Sequence, residues 1–410
     1  MTAPEPRIVI AGAGHAGGSA AALLRQMGWT GGITLVGEEP LPPYQRPPLS
    51  KAWLKGEADA EALALRPAAF YPGADIGLRL GTSVIAIDRA GKTVTLSTGE
   101  ALAYDHLILA LGARARRIKL PGIDLAGVLE LRTAADADLL KAALGPGKRL
   151  AVIGGGYIGL EAAAAARVLG VAVTIIEREP RVLARVACPI LSDFFQAYHR
   201  ARGVTIETSA DVEALTGADG YVTGVRLADG RLIACDAVLV GVGAVANDEL
   251  ARAAGLACDG GIVVDLATRT NDPAIYALGD CTRRPLPLYE RMLRLESVPN
   301  ALEQAKQAAA AICGMPPPAP EVPWFWSDQY DLRLQIAGIP FEATEIVLRG
   351  SLEEGKFALF HLTADGTVQA VEAVNAPQEF MGGRRIIGKR KRLSAAQIRD
   401  MSLTMQQLAV

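Results

Sequence analysis

The chain has 410 residues, half of them hydrophobic and 21% charged, with 42 basic and 44 acidic side chains that leave a net charge of −2. This length exceeds the roughly 250–300 residues at which a single hydrophobic core divides, so two or three domains are expected. The hydrophobic and charged fractions exclude a disordered chain, the near-neutral charge offers no global attraction to nucleic acid, and the longest apolar helix pattern, over 159–173, carries Glu161 and Arg167 and is too short to span a bilayer.

In chain order, a strand over 7–11 leads into Gly12-Ala13-Gly14-His15-Ala16-Gly17, a helix is expected over 16–27, and a strand over 33–36 ends at Gly37-Glu38-Glu39. In such a strand–loop–helix unit the first glycine allows the tight turn, the second admits a pyrophosphate, and the third lets the helix pack closely. The helix N-terminus is then aimed at the anion. The apolar run Ile8-Val9-Ile10-Ala11 is shorter than that of a secretory signal. A proline-rich stretch over 40–51 is expected to be an ordered loop over a cofactor, too stiff for helix, ending at a helix start.

Further strands are expected over 83–88, 93–96 and 104–110. A second unit opens after Gly145-Pro146-Gly147, with a strand over 150–153, the loop Gly154-Gly155-Gly156-Tyr157-Ile158-Gly159, a helix over 159–169, and a strand over 171–176 closed by Glu177. Strands over 204–207, 221–227 and 237–240 complete it. Two glycine loops, each followed at about the expected spacing by an acid, point to two dinucleotides in one chain. The apolar run 275–279 ends in Asp280. If it meets the first cofactor, the second unit is inserted into the first. Residues 315–323 contain five prolines and read as an extended linker, with a third unit from about Trp324.

The cysteines, at 188, 235, 258, 281 and 313, form no Cys-x-x-Cys and no close cluster in sequence with His15, His106, His199 or His361. This fits a reducing cytoplasm without structural zinc. It also leaves no cysteine pair spaced as a redox disulfide. Cys281 is read as a small buried side chain, a redox role being the alternative.

The segments Pro43-Tyr44-Gln45-Arg46-Pro47-Pro48-Leu49-Ser50-Lys51, 154–161, Ala277-Leu278-Gly279-Asp280-Cys281 and 323–330 resemble the FAD-dependent, NADH-using reductases of [2Fe-2S] ferredoxins, of the putidaredoxin reductase and dioxygenase ferredoxin reductase type. The similarity covers essentially the whole chain. It implies an α/β, glutathione-reductase-like fold: a discontinuous FAD domain over 1–113 and 245–323, an NADH domain over 114–244, and a C-terminal α/β domain over 324–410 concerned with docking. One departure stands at Gly241-Val242-Gly243-Ala244-Val245-Ala246-Asn247, where members often carry Pro-Asn. The missing proline softens a turn and leaves the chemistry untouched.

The resemblance implies a tightly but non-covalently held FAD on Gly12, Gly14, Ala16, Gly17, Glu38, Arg46, Lys51, Asp280, Val298 and Trp326. Glu39 competes with Glu38 for the adenosine ribose, and Trp326 reads equally as interdomain packing. Lys51 is expected beside the reactive edge of the flavin, its charge stabilising negative charge that builds on the ring, with Glu161 as its partner. NADH is expected on Gly156, Tyr157, Ile158, Gly159, Glu177, Arg178, Arg185 and Gly243. Glu177 favours NADH by accepting from the ribose and repelling a 2′-phosphate, which Arg178 is otherwise placed to receive.

The basic run Arg384-Arg385-Ile386-Ile387-Gly388-Lys389-Arg390-Lys391-Arg392 is matched to an acidic [2Fe-2S] ferredoxin, the competing reading being a solvated helix start. The implied activity carries electrons from NADH through FAD to a ferredoxin that supplies a haem-thiolate monooxygenase or a ring-hydroxylating dioxygenase. No nucleic acid, metal or membrane partner is expected, and the chain is read as a monomer or weak homodimer. An NADH oxidase or peroxidase and a redox-sensing FAD/NADH protein are the alternatives.

Overall fold

The computed structural model describes residues 5–410. The chain forms two compact units: residues 1–45, 60–114 and 246–325 in one, and 46–59, 115–245 and 326–410 in the other. The segment 46–59, grouped in sequence with the first domain, thus clusters with the second unit.

The first unit is built on a five-stranded parallel sheet in the order Ile275–Ala277, His106–Leu109, Arg7–Ala11, Gly32–Gly37, Ile76–Leu80. Both faces are covered, as a parallel sheet requires. Ile8 and Ile10 point to one side, where the helices His15–Gln26 and Val298–Ile312 meet through Ala20, Ala21, Ala301, Ala305 and Ala308. Val9 and Ala11 point to the other, against Ala251, Leu256 and Ile262. The alanines carry no side-chain entropy to lose and let the two helices lie close. The apolar run at 275–279 is strand only as far as Ala277, and Gly279, at φ +80°, turns the chain into Asp280.

The second unit repeats the plan with the parallel order Val204–Glu207, Ala172–Ile176, Arg149–Ile153, Ala237–Val240, Val128–Leu129. Its loop helix begins at Tyr157, two residues before the sequence expectation. A five-stranded C-terminal sheet, Trp324–Gln329, Leu332–Gly338, Val368–Val374, Lys356–Leu362, Glu345–Ser351, is covered by the helix Pro377–Gly388. The proline-rich stretch is not loop throughout. Pro47 and Pro48 open a 3-10 turn at Pro47–Ser50, where a missing N–H costs nothing, and the helix Ala52–Lys55 follows. That helix packs on the helices Tyr157–Val168 and Ala134–Ala143, with Trp53 Nε1 donating to Asp138 at 2.9 Å.

The basic run lies at the end of the helix Pro377–Gly388, not at a helix start. Lys389 and Lys391 donate to the carbonyls of Ala409 and Leu408 at 2.8 and 3.1 Å, and Arg392 pairs with Asp365 at 2.8 Å. Arg385 and Arg390 are exposed. Among the described residues no helix is long and apolar enough to cross a membrane.

In the second unit, the helix Pro189–Ala201 carries a fully buried His199, whose imidazole burial pushes down to about 4, with Arg202 adding to the effect and a hydrogen bond to Gln329 opposing it. Between its ordinary value of 6.5 and 4, the unfolded chain takes up a proton that the native chain refuses, so acid favours unfolding. Stability is therefore expected to fall as pH drops from 7 toward 4, by on the order of 3 kcal/mol from this group. Urea unfolding across that range checks it, and a His199→Gln protein should show a shallower slope.

Candidate active site

Both glycine loops stand at the head of a helix that the protein itself leaves uncapped. The helices His15–Gln26 and Tyr157–Val168 have glycine N-caps, Gly14 and Gly156, with no side-chain cap and no acid in the first turn. The helices at Ala134, Val298, Ala395 and Met405 are instead capped by Thr133, Ser297, Ser394 and Thr404. An N-terminus with its N–H groups unspent attracts an anion.

The glycines divide into two kinds. A Cβ at Gly12, where φ is +114°, would lie 2.2 Å from Ala110 O, and one at Gly17 would lie 1.9 Å from Gly12 O. In the second loop the same contacts are 2.5 Å, from Gly154 to Gly241 O, and 2.3 Å, from Gly159 to Gly154 O. These four glycines are required by the fold. At Gly14 and Gly156 a Cβ would meet nothing within 4 Å. The chain therefore keeps open the space directly above each helix start, which fits a pyrophosphate at both places.

In the first unit Gly12, Gly14, Ala16, Gly17 and Asp280 come together, since a Cβ at Gly279 would lie 3.1 Å from Ala16. The turn is fastened from behind by Gln304, which accepts from Gly279 N–H at 2.8 Å and from Thr282 Oγ1 at 3.0 Å. Glu38 is exposed, whereas Glu39 accepts from the Tyr44 hydroxyl at 2.6 Å. Val298 opens its helix behind the Ser297 cap. His15, to which sequence reasoning gave no role, feels the charge of Asp280. Burial nonetheless holds its imidazole below the usual value.

In the second unit Gly156, Tyr157, Ile158 and Gly159 form the loop and first helical turn, with Ile158 47% exposed. Glu177 accepts from Gly155 N–H at 2.7 Å and from Glu179 N–H at 2.9 Å, so its carboxylate is fixed at the loop. A carboxylate has lone pairs left for ribose hydroxyls. Arg178 is exposed and pairs with Glu179 at 3.2 Å. Arg185 stands near Gly243, where a Cβ would lie 3.7 Å from its guanidinium. Arg181, missed in the sequence, holds the loop that carries Arg185 by donating to Ala184 O, Ala187 O and Ser192 Oγ. One arginine in an arginine-rich stretch gives no sign that it bonds backbone.

The same unit contains Arg46, Lys51 and Trp326. Arg46 donates to Arg132 O at 2.5 Å, and Trp326 is half-buried on the strand Trp324–Gln329. Lys51 Nζ lies 2.8 Å from Glu161 Oε2, with Glu161 buried and Lys51 largely so. Sequence reasoning paired these residues, but not the two serines that share the carboxylate. Ser50 Oγ donates to Oε2 at 2.5 Å and Ser327 Oγ to Oε1 at 2.6 Å.

Cysteine chemistry is quenched by burial. The thiols of Cys188 and Cys281 are pushed up to about 12 and that of Cys235 to about 11, each chiefly by burial. The fold does assemble one cluster invisible in the sequence: Cys188, His361 and Glu372, all buried, bring their polar atoms within 4.8 Å. Glu372 accepts from Cys188 N–H at 3.1 Å and stands 3.3 Å from His361 Nε2.

Two parallel-sheet units, each with an open glycine cradle at an uncapped helix, define a two-dinucleotide α/β oxidoreductase. The family described as Pyridine nucleotide-disulphide oxidoreductase matches residues 6–305, and that described as Reductase C-terminal matches 324–409. The chain is 54% identical over 411 residues to the probable ferredoxin reductase CtmF of Castellaniella defragrans, covering 100% of both. It is 43% identical to putidaredoxin reductase CamA of Pseudomonas putida, over 98% of this chain and 96% of that one. The solved covalent putidaredoxin reductase–putidaredoxin complex contains a chain that matches with a TM-score of 0.96 and 42% identity, covering 99% of this chain and 98% of that one. The chain belongs to the pyridine nucleotide-disulphide oxidoreductases, among the ferredoxin reductases of putidaredoxin reductase type, and has their glutathione-reductase-like FAD and NAD fold.

The two kinds of glycine separate in experiment. Gly14→Ala and Gly156→Ala are expected to leave the thermal stability of the FAD-free chain unchanged, while the first weakens FAD retention and the second NADH binding by tenfold or more, roughly one lost charge-assisted hydrogen bond. Gly12→Ala should lower stability by on the order of 2 kcal/mol whatever is bound, because its backbone is left-handed and blocked. Thermal unfolding and cofactor titration of the three proteins test this.

Proposed function

We propose that this protein takes a hydride from NADH onto FAD and passes the electrons to a [2Fe-2S] ferredoxin serving a haem-thiolate monooxygenase or ring-hydroxylating dioxygenase. The observation that carries the reading is the pair of open glycine cradles in a chain whose buried thiols are held protonated, which favours two dinucleotides without a disulfide relay. Relatives named ferredoxin reductase, putidaredoxin reductase and biphenyl dioxygenase ferredoxin reductase support the acceptor class. FAD, when bound, accepts two electrons as hydride and returns them one at a time.

The chain's own residues bind and orient. Gly12, Gly14, Ala16 and Gly17 take the FAD pyrophosphate, with Glu38 at the ribose and Asp280, Arg46, Val298 and Trp326 completing the site. Gly156, Tyr157, Ile158, Gly159, Arg185 and Gly243 take NADH, and Glu177 rejects a 2′-phosphate. Lys51 supplies the cation toward the flavin, and Glu161 neutralises it in the arrangement observed. Exposed Arg385 and Arg390 remain for an acidic partner once Lys389, Lys391 and Arg392 are discounted as fold contacts. A monomer or weak homodimer in the reducing cytoplasm suits this role.

NADH-dependent reduction of a panel of acidic [2Fe-2S] ferredoxins tests the activity. Formation of hydrogen peroxide or water in their place would establish an oxidase or peroxidase, and a long-lived reduced complex with little turnover a sensor. Glu177→Ala is expected to raise the Michaelis constant for NADH about tenfold and narrow the gap to NADPH. A wild-type preference for NADPH would reject the Glu177 assignment. Lys51→Met, with FAD retained, is expected to lower the flavin midpoint potential and slow anaerobic reduction by NADH. If both quantities stay at wild-type values, Lys51 is not the flavin-side cation.

A further inference from the structure

Glu161 is the end of a buried chain of hydrogen bonds that no part of the proposed reaction requires. Behind Ser327, Gln329 Nε2 donates to Ser327 Oγ at 3.2 Å, and His199 Nε2 lies 2.8 Å from Gln329 Oε1. Ser327, Gln329 and His199 are at most 1% exposed, and all lie in the second unit with Lys51 and Glu161.

The direction of every bond follows from the carboxylate. Ionised Glu161 only accepts, so Ser327 must spend its single proton on Oε1. Ser327 therefore accepts from Gln329, which fixes the amide with its oxygen toward His199. That oxygen only accepts, so His199 donates from Nε2 and its Nδ1 is bare, in agreement with the lack of any partner at Nδ1. Three successive dipoles thus point at Glu161 and stabilise its negative charge. The groups around the chain are consistent: Lys51 is the cation on the carboxylate, and Arg202, near His199, favours the neutral imidazole.

We propose that Lys51 turns from Glu161 toward the flavin during the reaction, and that Ser327, oriented by Gln329 and His199, is a positioning residue that holds the Glu161 carboxylate when it does. This rests on Lys51 being the flavin-side cation. A buried ion pair is costly to open because one charge is left without a partner. Ser50 does not solve the problem, since it adjoins Lys51 and rides on the same turn, Pro47–Ser50. Ser327 comes from a separate strand and stays with Glu161, so the carboxylate retains a donor whichever way Lys51 moves. Lys51 has an alternative acceptor in Pro47 O, at 3.2 Å.

The test is a double-mutant cycle on the FAD-loaded protein, read by flavin midpoint potential, by anaerobic flavin reduction with NADH, and by the 15N resonances of His199. Ser327→Ala is expected to slow reduction about tenfold, the effect of one hydrogen bond to a charged group, to lower the potential, and to shift the His199 resonances. Ser327→Thr, which keeps the hydroxyl, should restore all three. In a Glu161→Gln background there is no ion pair to open, and Ser327→Ala should then change neither rate nor potential. Equal slowing in both backgrounds makes Ser327 merely structural and overturns the inference. So does a wild-type rate in Ser327→Ala when Glu161→Gln alone alters rate and potential. If Lys51→Met and Glu161→Gln both behave as wild type, the Lys51 assignment itself fails and the inference with it. Gln329→Met breaks the same chain without touching Ser327, and is expected to slow reduction by a smaller factor. A wild-type rate and unshifted His199 resonances there overturn the relay.

Discussion

Each unit depends on the approach of three backbone segments at its glycine loop. In the first, the loop at Gly12, the helix start at Gly17 and the strand end at Ala110 are so close that one methyl group on either glycine would overlap a carbonyl oxygen. Only this closeness brings a helix N-terminus directly behind a central parallel strand, with its first N–H groups unspent. The alanine-lined packing of the helices His15–Gln26 and Val298–Ile312 follows from it, since a helix held that near the sheet leaves room for little more than a methyl. The cradle and the core are two faces of one constraint.

Buried charge is handled in two ways. Arg284 and Glu303, almost wholly buried, meet through two contacts at 2.9 and 3.1 Å, and Asn300 also accepts from Arg284. That pair is enclosed by fixed neighbours and holds the helix bearing Gln304, and through it the turn at Gly279. The Lys51–Glu161 pair has one deeply buried member, Glu161, and one, Lys51, whose side chain is 18% exposed. Its carboxylate carries enough other donors to survive separation. The first arrangement suits a strut and the second a pair that opens.

Legibility in the sequence followed locality. Both glycine loops, their strands and the acid Glu177 were readable because the turn, the anion site and the strand end lie within about twenty-five residues of one another. Lys51 and Glu161 were readable only through family resemblance, their 110-residue separation giving no local signal. Ser327, Gln329 and His199 were not readable at all, because a serine and a glutamine in a strand have many satisfied roles and only tertiary contact selects one. The basic run was only partly legible for a related reason. Composition shows six cations, but not that two of them close the chain's last helix and a third pairs with Asp365.

The two loops also differ where a simple duplication would make them alike. Strand register aligns Ala11 with Val36 and Ile153 with Ile176, so the residue following these pairs is Gly37 in the first unit and Glu177 in the second. Opposite these stand Ala13 and Gly155. Gly155 offers its N–H to Glu177, whereas a Cβ at Gly37 would lie 2.5 Å from that of Ala13. The second loop is thus braced by a carboxylate–amide bond made by the protein alone, while the first is closed by small residues and leaves Glu38, one position later, in solvent. A site whose ligand comes and goes must hold its shape without it. A site whose ligand stays can leave its acid for the ligand to order, which is the division expected of NADH and FAD.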